Sequence, residues 1–278
     1  MAGRIVLAAT PIGNVGDGSA RLWRALQDAD VIAAEDTRSL RDLARRGGID
    51  IHAQVLVMHD HNEDHAAQSL VQRAADGALV VAVSDAGMPT ISDPGLRLVQ
   101  AAIAAGVDVE VLPGPSAPLV ALALSGLPTD RFCFEGFPSR KAGERLRAFK
   151  ALAHEPRTMI FFEAPHRIHE TLVAMAQAWG DDRPASVSRE LTKTHEETVR
   201  GSLGELAAWA QTQVRGEIVV VVAGRSPDAP AFEAVVAEAL ARVATGERAK
   251  DVCSDLAAAT GVAGRELYAA VIAARSTA

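Results

Sequence analysis

The stretch Ser84-Asp85-Ala86-Gly87-Met88-Pro89-Thr90-Ile91-Ser92-Asp93-Pro94-Gly95 is the part of this sequence best suited to holding a polar ligand. It follows the almost wholly apolar run 78–83 and is built from small, turn-forming and acidic residues. Such a loop exposes backbone N–H and C=O groups around a hollow, and Asp85 there can oppose a cation such as a sulfonium or an α-ammonium. Pure turn structure seldom needs so many constraints. Two other loops share the character. Thr10-Pro11-Ile12-Gly13-Asn14-Val15-Gly16-Asp17-Gly18 carries glycines that permit close backbone approach. Its spacing is not G-x-G-x-x-G and no acidic fingerprint follows, which disfavours an ordinary dinucleotide site. A tight strand-to-helix turn accounts for it equally well. Glu35-Asp36-Thr37-Arg38 sets two carboxylates at a strand end and a guanidinium at the next helix start. Adjacent carboxylates are costly to bury without a partner, which Arg38 can supply; the plainer alternative is Asp36 as a helix cap with Arg38 in solvent. His59-Asp60-His61-Asn62-Glu63-Asp64-His65 invites a metal reading, but the order is not H-E-x-x-H, and a polar helix start is favoured over metal.

These loops need a scaffold, and the flanking pattern supplies one. Short β-branched runs at 4–9, 31–34, 54–58, 78–83 and 108–112 alternate with helical patterns, which predicts a mainly parallel sheet covered on both faces. In such sheets ligands bind beyond the carboxyl ends of the strands, where the loops above lie. Asp93 and Pro94 read as N-cap and first residue of the helix after the fourth strand. Pro113-Gly114-Pro115-Ser116 is the best internal boundary. Beyond it a helix runs to about 124, and strands are expected at 132–135, 158–162, 185–188, 196–201 and 217–223, with antiparallel pairs among the last three. Ser202-Leu203-Gly204-Glu205 has the form of a capping box. After the linker 225–230, three short helices over 231–278 suggest a helix-turn-helix-like unit. The expected organisation is an α/β domain at 1–115, an α+β domain at 116–224 and a helical tail at 231–278.

Of the 278 residues 49% are hydrophobic and 23% charged, ordinary globular usage. No apolar run approaches the roughly 20 residues needed to cross a bilayer, and the N-terminal apolar stretch is too short for a signal-peptide core. A soluble, cytoplasmic protein without membrane association is expected. The two cysteines, Cys133 and Cys253, form no C-x-x-C and indicate neither disulfide scaffold nor zinc site. The net charge of −7 argues against non-specific nucleic-acid binding by the whole surface, though local clusters decide that question.

Taken in order, Thr10–Asn14, Ala34-Glu35-Asp36-Thr37-Arg38, the two halves of the 84–95 loop, Pro113-Gly114-Pro115-Ser116 and Phe162-Glu163-Ala164-Pro165-His166-Arg167 give a joint pattern. It resembles the ribosomal RNA small subunit methyltransferase I branch of the tetrapyrrole methylase superfamily, over nearly the whole chain. The G-x-G-P-G-D first loop typical of the porphyrin enzymes is missing. The resemblance implies a two-domain tetrapyrrole methylase-like (class III methyltransferase) α/β fold with S-adenosylmethionine between the domains, commonly as a homodimer. It implies 2′-O-methylation of the ribose of cytidine 1402 in 16S rRNA within the small ribosomal subunit. Carried over by position, the cofactor contacts come from Pro11, Gly13 and Asn14, from Ser84, Asp85, Ala86 and Gly87, and from Ser116 and Ala117, with Glu163 and Ile218 as weaker members.

Methyl transfer to a ribose hydroxyl needs alignment and removal of a proton. Asp36, Asp85 and Glu35 are the candidate bases, with His59 and His61 behind them. Asp36 is favoured, with Arg38 orienting RNA phosphate or the carboxylate; late loss of the proton to solvent is the alternative to any base. RNA requires positive surface. Arg38, Arg41, Arg45 and Arg46 recur at helical spacing, and 139–150 holds Arg140, Lys141, Arg145, Arg147 and Lys150. Either set is compatible with a merely solvated face; together they favour RNA. Arg242, Arg248, Lys250 and Arg265 in the tail add a contact or simply brace the protein. The rival readings are a methyltransferase acting on a tetrapyrrole or other small molecule, and a nucleic-acid-binding regulator with a degenerate cofactor site.

Overall fold

The computed structural model describes residues 3–59, 61–225, 232–260, 262 and 264–276. The first sheet joins β1 (Arg4–Ala8), β2 (Val31–Ala34), β3 (Gln54–Val57), β4 (Leu79–Val83) and β5 (Asp108–Leu112) in the order β3-β2-β4-β1-β5. All its pairings are parallel. Alternation along β1 shows why it is buried on both faces. Ile5 and Leu7 pack with Leu70 of α3 (Glu63–Ala75) and Leu98 of α4 (Leu96–Ala105). Val6 and Ala8 pack on the opposite face with Leu22 and Leu26 of α1 (Ala20–Asp28) and Leu40 of α2 (Thr37–Gly47). Gly48, at φ 66°, ends α2 as the Gly47-Gly48 pair predicts.

One helix start differs from expectation. The helix after β4 begins at Leu96 with Gly95 as its N-cap, at φ 134°, and Asp93 does not cap it. The reason lies elsewhere in the chain. The Oε1 atom of buried Glu63 accepts from the N–H of Gly95 at 2.8 Å and of Arg97 at 2.9 Å. A carboxylate at the start of α3 thus satisfies the open amides of α4.

After α5 (Ala117–Ser125) comes the second sheet: β6 (Phe132–Phe134), β7 (Thr158–Glu163), β8 (Pro184–Arg189), β9 (Glu197–Ser202) and β10 (Ile218–Val222), ordered β6-β7-β10-β8-β9. β8 and β9 form the expected antiparallel pair. β10 does not continue it; it inserts between β7 and β8, antiparallel to both, while β6 runs parallel to β7. One face of the sheet packs Phe161, Val187 and Val220 against Phe149 of α6 (Ala142–Ala151), Leu172 and Met175 of α7 (Ile168–Trp179) and Leu206 of α8 (Leu203–Trp209). Ile160, Val219 and Val221 point the other way, into a cluster with Ala121 and Leu122 of α5, Leu191 and Ile12. Ile12 belongs to the loop after β1. It ties the second sheet to the carboxyl edge of the first.

The capping box holds: the Ser202 hydroxyl accepts from the Glu205 N–H at 3.3 Å and the Glu205 carboxylate from the Ser202 N–H at 2.8 Å. Ser202→Ala should cost about 1 kcal/mol of stability, read from urea unfolding, while Ser202→Thr should restore most of it.

Both sheets lie in one compact unit, residues 1–153 and 157–223. A second unit comprises 154–156 and the chain from 224 onward. Its helices α9 (Phe232–Ala244), α10 (Ala249–Thr260) and α11 (Gly264–Ser276) close on a core of Val235, Ala239, Val252, Cys253, Leu256, Leu267 and Val271. The expected linker beyond Arg225, and the predicted helix starts at 231 and 263, lie outside the described residues. No helix among the described residues is long and apolar enough to cross a membrane.

Candidate functional site

A cavity of about 460 Å³ opens at the carboxyl edge of the first sheet. That volume is in the range, roughly 300–1,000 Å³, of small-molecule and cofactor sites. Ile12, Glu35 and the Asp85-Ala86 and Ile91-Ser92-Asp93 segments form one wall, from the loops after β1, β2 and β4. Ala117 enters from the start of α5, and Phe137, Phe162, Glu163, Leu191 and 216–219 form the other wall. The lining is an apolar surface with carboxylates set into it. Such a lining fits a ligand with an apolar ring and a positive charge.

Local hydrogen bonds explain the shape of the first wall. Thr10 and Gly87 form an isolated antiparallel bridge, N–H to O at 2.9 and 3.1 Å, with Gly87 at φ 86°. The Thr10 hydroxyl donates to the Ser84 carbonyl at 3.2 Å, and the Ser84 hydroxyl donates to the Gly87 carbonyl at the same distance. The loops after β1 and β4 are therefore bonded to each other at several points. Ile91, on the cavity surface, is flanked by Thr90 at φ 77° and Ser92 at φ 62°. Non-glycine residues in the left-handed region are strained and gather at functional sites.

The carboxylates divide into two kinds. Asp85 sits beside Asp36, whose N–H donates to its Oδ1 at 3.2 Å. Partial burial pushes the Asp85 carboxyl above the ordinary aspartate value, helped by the Asp36 charge, while hydrogen bonds from the Asp36 N–H and the Ser39 side chain pull it back. Glu163, by contrast, is a fully paired group. Its carboxylate accepts from the Ala164 N–H at 2.8 Å, from Arg167 Nη2 at 3.2 Å and from the Thr171 hydroxyl. Glu217 is matched by Lys193 Nζ at 2.9 Å.

Of the candidate residues, Asp85, Ala86, Ala117 and Ile218 line the cavity, and Glu163 borders it with an inaccessible side chain. Ser84 and Gly87 shape the loop behind it, and Ser116 is the N-cap residue of α5. Gly13 and Asn14 contact the 191–193 turn, and Pro11 adjoins Ile12 on the same loop. Asp36 caps α2 by accepting from the Arg38 N–H at 2.7 Å, and both residues are exposed beside the cavity. Asp36 thus follows the plainer of the two readings of Glu35–Arg38, while Glu35 and Asp85, the other two candidate carboxylates, both line the cavity. Leu191, Phe137, Gly216 and Glu217 escaped the sequence reading; nothing in their local pattern distinguishes them from turn or strand-edge residues.

The basic clusters are mixed. Arg38 and Arg41 are exposed on α2, whereas Arg45 pairs with Asp42 and Arg46 donates to the Gly13 carbonyl at 2.7 Å. On α6, Arg145 is not a surface cation. It is 3% exposed and pairs with Glu170 at 3.2 Å. Arg140, Arg147 and Lys150 remain exposed. In the histidine run, Asn62 accepts from the His59 N–H at 2.8 Å and donates to the Val57 carbonyl at 3.0 Å. No group of three or more His, Cys, Asp or Glu able to hold a metal ion occurs among the described residues.

Solved methyltransferases share this overall fold. The methyltransferase CobJ superposes with a TM-score of 0.61 at 22% identity, over 81% of this chain and 97% of that one. Uroporphyrin-III C-methyl transferase from Thermus thermophilus, complexed with S-adenyl homocysteine, gives 0.57 at 20% identity, over 80% and 97%. These likenesses establish the fold, that of a class of α/β methyltransferases. The family model for Tetrapyrrole (Corrin/Porphyrin) Methylases matches residues 4–207. Curated relatives named Ribosomal RNA small subunit methyltransferase I are 51% identical in Mycobacterium bovis, over 98% of this chain and 96% of theirs, and 43% identical in Escherichia coli O157:H7, over 80% and 78%. The chain belongs to the tetrapyrrole methylase family, on its ribosomal RNA small subunit methyltransferase I branch, and is a methyltransferase.

Proposed function

We propose that this enzyme transfers a methyl group from S-adenosylmethionine, held in the 460 Å³ cavity, to the ribose 2′-hydroxyl of cytidine 1402 in 16S rRNA. The observation that carries the RNA reading is the match over nearly full length to relatives named for small-subunit ribosomal RNA. The donor supplies a methyl carbon already activated by its sulfonium. The protein's part is to hold and align, which can supply several kcal/mol of the barrier, and to take a proton. Ile12, Leu191 and Phe162 offer apolar surface to a purine, and the carboxylates of the cleft complement a cationic ligand. Gly13 and Asn14 hold the first loop against the second wall, Ser84, Ala86 and Gly87 present backbone groups, and Ser116 and Ala117 close one end. Asp85 accepts the hydroxyl proton, kept in place by the Asp36 N–H. Arg38 and Arg41, exposed on the adjoining helix, take RNA phosphates. In this reading the enzyme acts on the small ribosomal subunit in the cytoplasm, as a homodimer of chains divided at 113–116.

The test uses labelled donor with purified small subunits in one arm and uroporphyrinogen in the other. Label is expected in the RNA, on one decoding-site ribose as located by mass spectrometry, and 16S rRNA from a strain lacking the protein should lack that methyl. Label in the porphyrin alone would defeat the proposal.

A further inference from the structure

The turn after β8 is held in a conformation its own residues disfavour. Glu190, at φ 51°, and Thr192, at φ 64°, both occupy the left-handed region. Side chains there are strained and persist only where the surroundings over-determine them. Here they do. The Glu190 N–H donates to the Glu217 carbonyl at 3.0 Å, and the Glu217 N–H returns to Glu190 Oε1 at 3.1 Å. Lys193 Nζ donates to both carboxylates at 2.9 Å. Within the turn the Thr192 N–H donates to the Glu196 carboxylate and the Lys193 N–H to the Glu190 carbonyl. A further tie crosses the cleft: the Asn14 N–H, 178 residues away in sequence, donates to the Thr192 hydroxyl at 3.0 Å.

Joining β8 to β9 does not require this, since those strands are already paired along their whole length. What the strained turn achieves is the placement of Leu191. Set between the two left-handed residues, Leu191 is 6% exposed and packs in one cluster with Ile12, and both lie on the cavity surface. Gly13 makes the approach possible. A Cβ there would lie 2.5 Å from Lys193 Cγ and 2.8 Å from Thr192 Oγ1.

We infer that Thr192 is a positioning residue for the methyl donor, its hydroxyl latching the Gly13–Asn14 loop to the 190–193 turn so that Ile12 and Leu191 form one apolar wall for the donor's nucleoside. This rests on the reading of the cavity as the S-adenosylmethionine site. Titration calorimetry of the full-length wild type with S-adenosylmethionine comes first, and absence of binding there would overturn that underlying reading. Given binding, Thr192→Val should weaken donor affinity about three- to tenfold, the worth of one hydrogen bond. Thr192→Ser, which keeps the hydroxyl, should stay within about twofold. In methyl transfer the loss should fall on KM for the donor and spare kcat at saturating donor, a split that general loosening of the fold would not produce. Gly13→Ala, which forces the two loops apart, should weaken binding at least as much as Thr192→Val. Wild-type affinity in Thr192→Val, or a drop in kcat with KM unmoved, would overturn the latch. Should Thr192→Val fail to fold, wild-type affinity in Gly13→Ala would overturn it equally.

Discussion

Asp85→Asn should lower kcat by about 10²- to 10⁴-fold, the range for loss of a positioned general base, while the folded protein remains as stable as wild type. Asn keeps the oxygen that accepts from the Asp36 N–H, so the loop geometry survives. What it loses is the capacity to take a proton. The raised Asp85 pKa, caused by burial and by the Asp36 charge against the pull of two hydrogen bonds, fixes the sign of two further results. A base works only when ionised, so the wild-type rate should fall as pH drops through a value above the ordinary aspartate pKa of about 3.9. Asp85→Asn should lose that limb, and Asp36→Asn, which can still cap α2, should move it to lower pH by removing the neighbouring charge. For stability, a folded-state pKa above the unfolded one means that ionisation works against the fold: Asp85's contribution is most favourable at low pH and declines as pH rises through the folded value. Substitution by neutral Asn is therefore expected to leave the unfolding midpoint at neutral pH unchanged or slightly higher. A kcat within threefold of wild type in Asp85→Asn would mean that the hydroxyl proton leaves to solvent without this carboxylate.

Arg167→Met should destabilise the protein by about 3–5 kcal/mol, the usual consequence of leaving one member of a buried ion pair alone. The Glu163 side chain is wholly inaccessible and that of Arg167 13% exposed. Besides the pair, Arg167 Nη2 donates to the Pro138 carbonyl at 2.7 Å, directly after Phe137 on the cavity wall. The same variant should therefore loosen donor binding, with KM rising before kcat falls. Replacing both partners, as in Glu163→Leu with Arg167→Met, should recover most of the stability, because apolar pairs commonly match a buried ion pair once no charge is stranded. Urea unfolding at neutral pH measures both. A single variant within about 1 kcal/mol of wild type would show that the Thr171 hydroxyl and the Ala164 N–H are partners enough for the carboxylate.

Much of the scaffold was legible in the chain because its causes are local. Each strand of the first sheet carries its own apolar pattern, and the Gly48 end of α2 and the Ser202–Glu205 box are made by residues a few positions apart. The loop 84–95 stood out because a buried strand running into acidic and turn-forming residues is a local signature, and part of it lines the cavity. Where that reading erred, a distant group had done the work of a near one. Asp93 looks like a cap, but Glu63 satisfies the start of α4 and leaves Asp93 to the cavity. Arg145 looks like part of a basic face, but Glu170 on the next helix accepts it out of solvent. The position of β10 between β7 and β8 is likewise a matter of which long-range pairing buries Val219 and Val221, and spacing along the chain does not encode it.

The sequence by itself therefore determined the alternation of strands and helices, the sheet edge at which the cavity opens, and through the order of its motifs the family. Only the tertiary structure decided that Asp85 lines the cavity and Asp36 does not, since the two are equally acidic on paper and differ in what surrounds them. It also decided the second wall. The left-handed turn that carries Leu191 is held by its own Lys193 and Glu196 and by Asn14 and Glu217, and the part imposed by those last two, far away in the chain, leaves no trace in the propensities of the residues that adopt it.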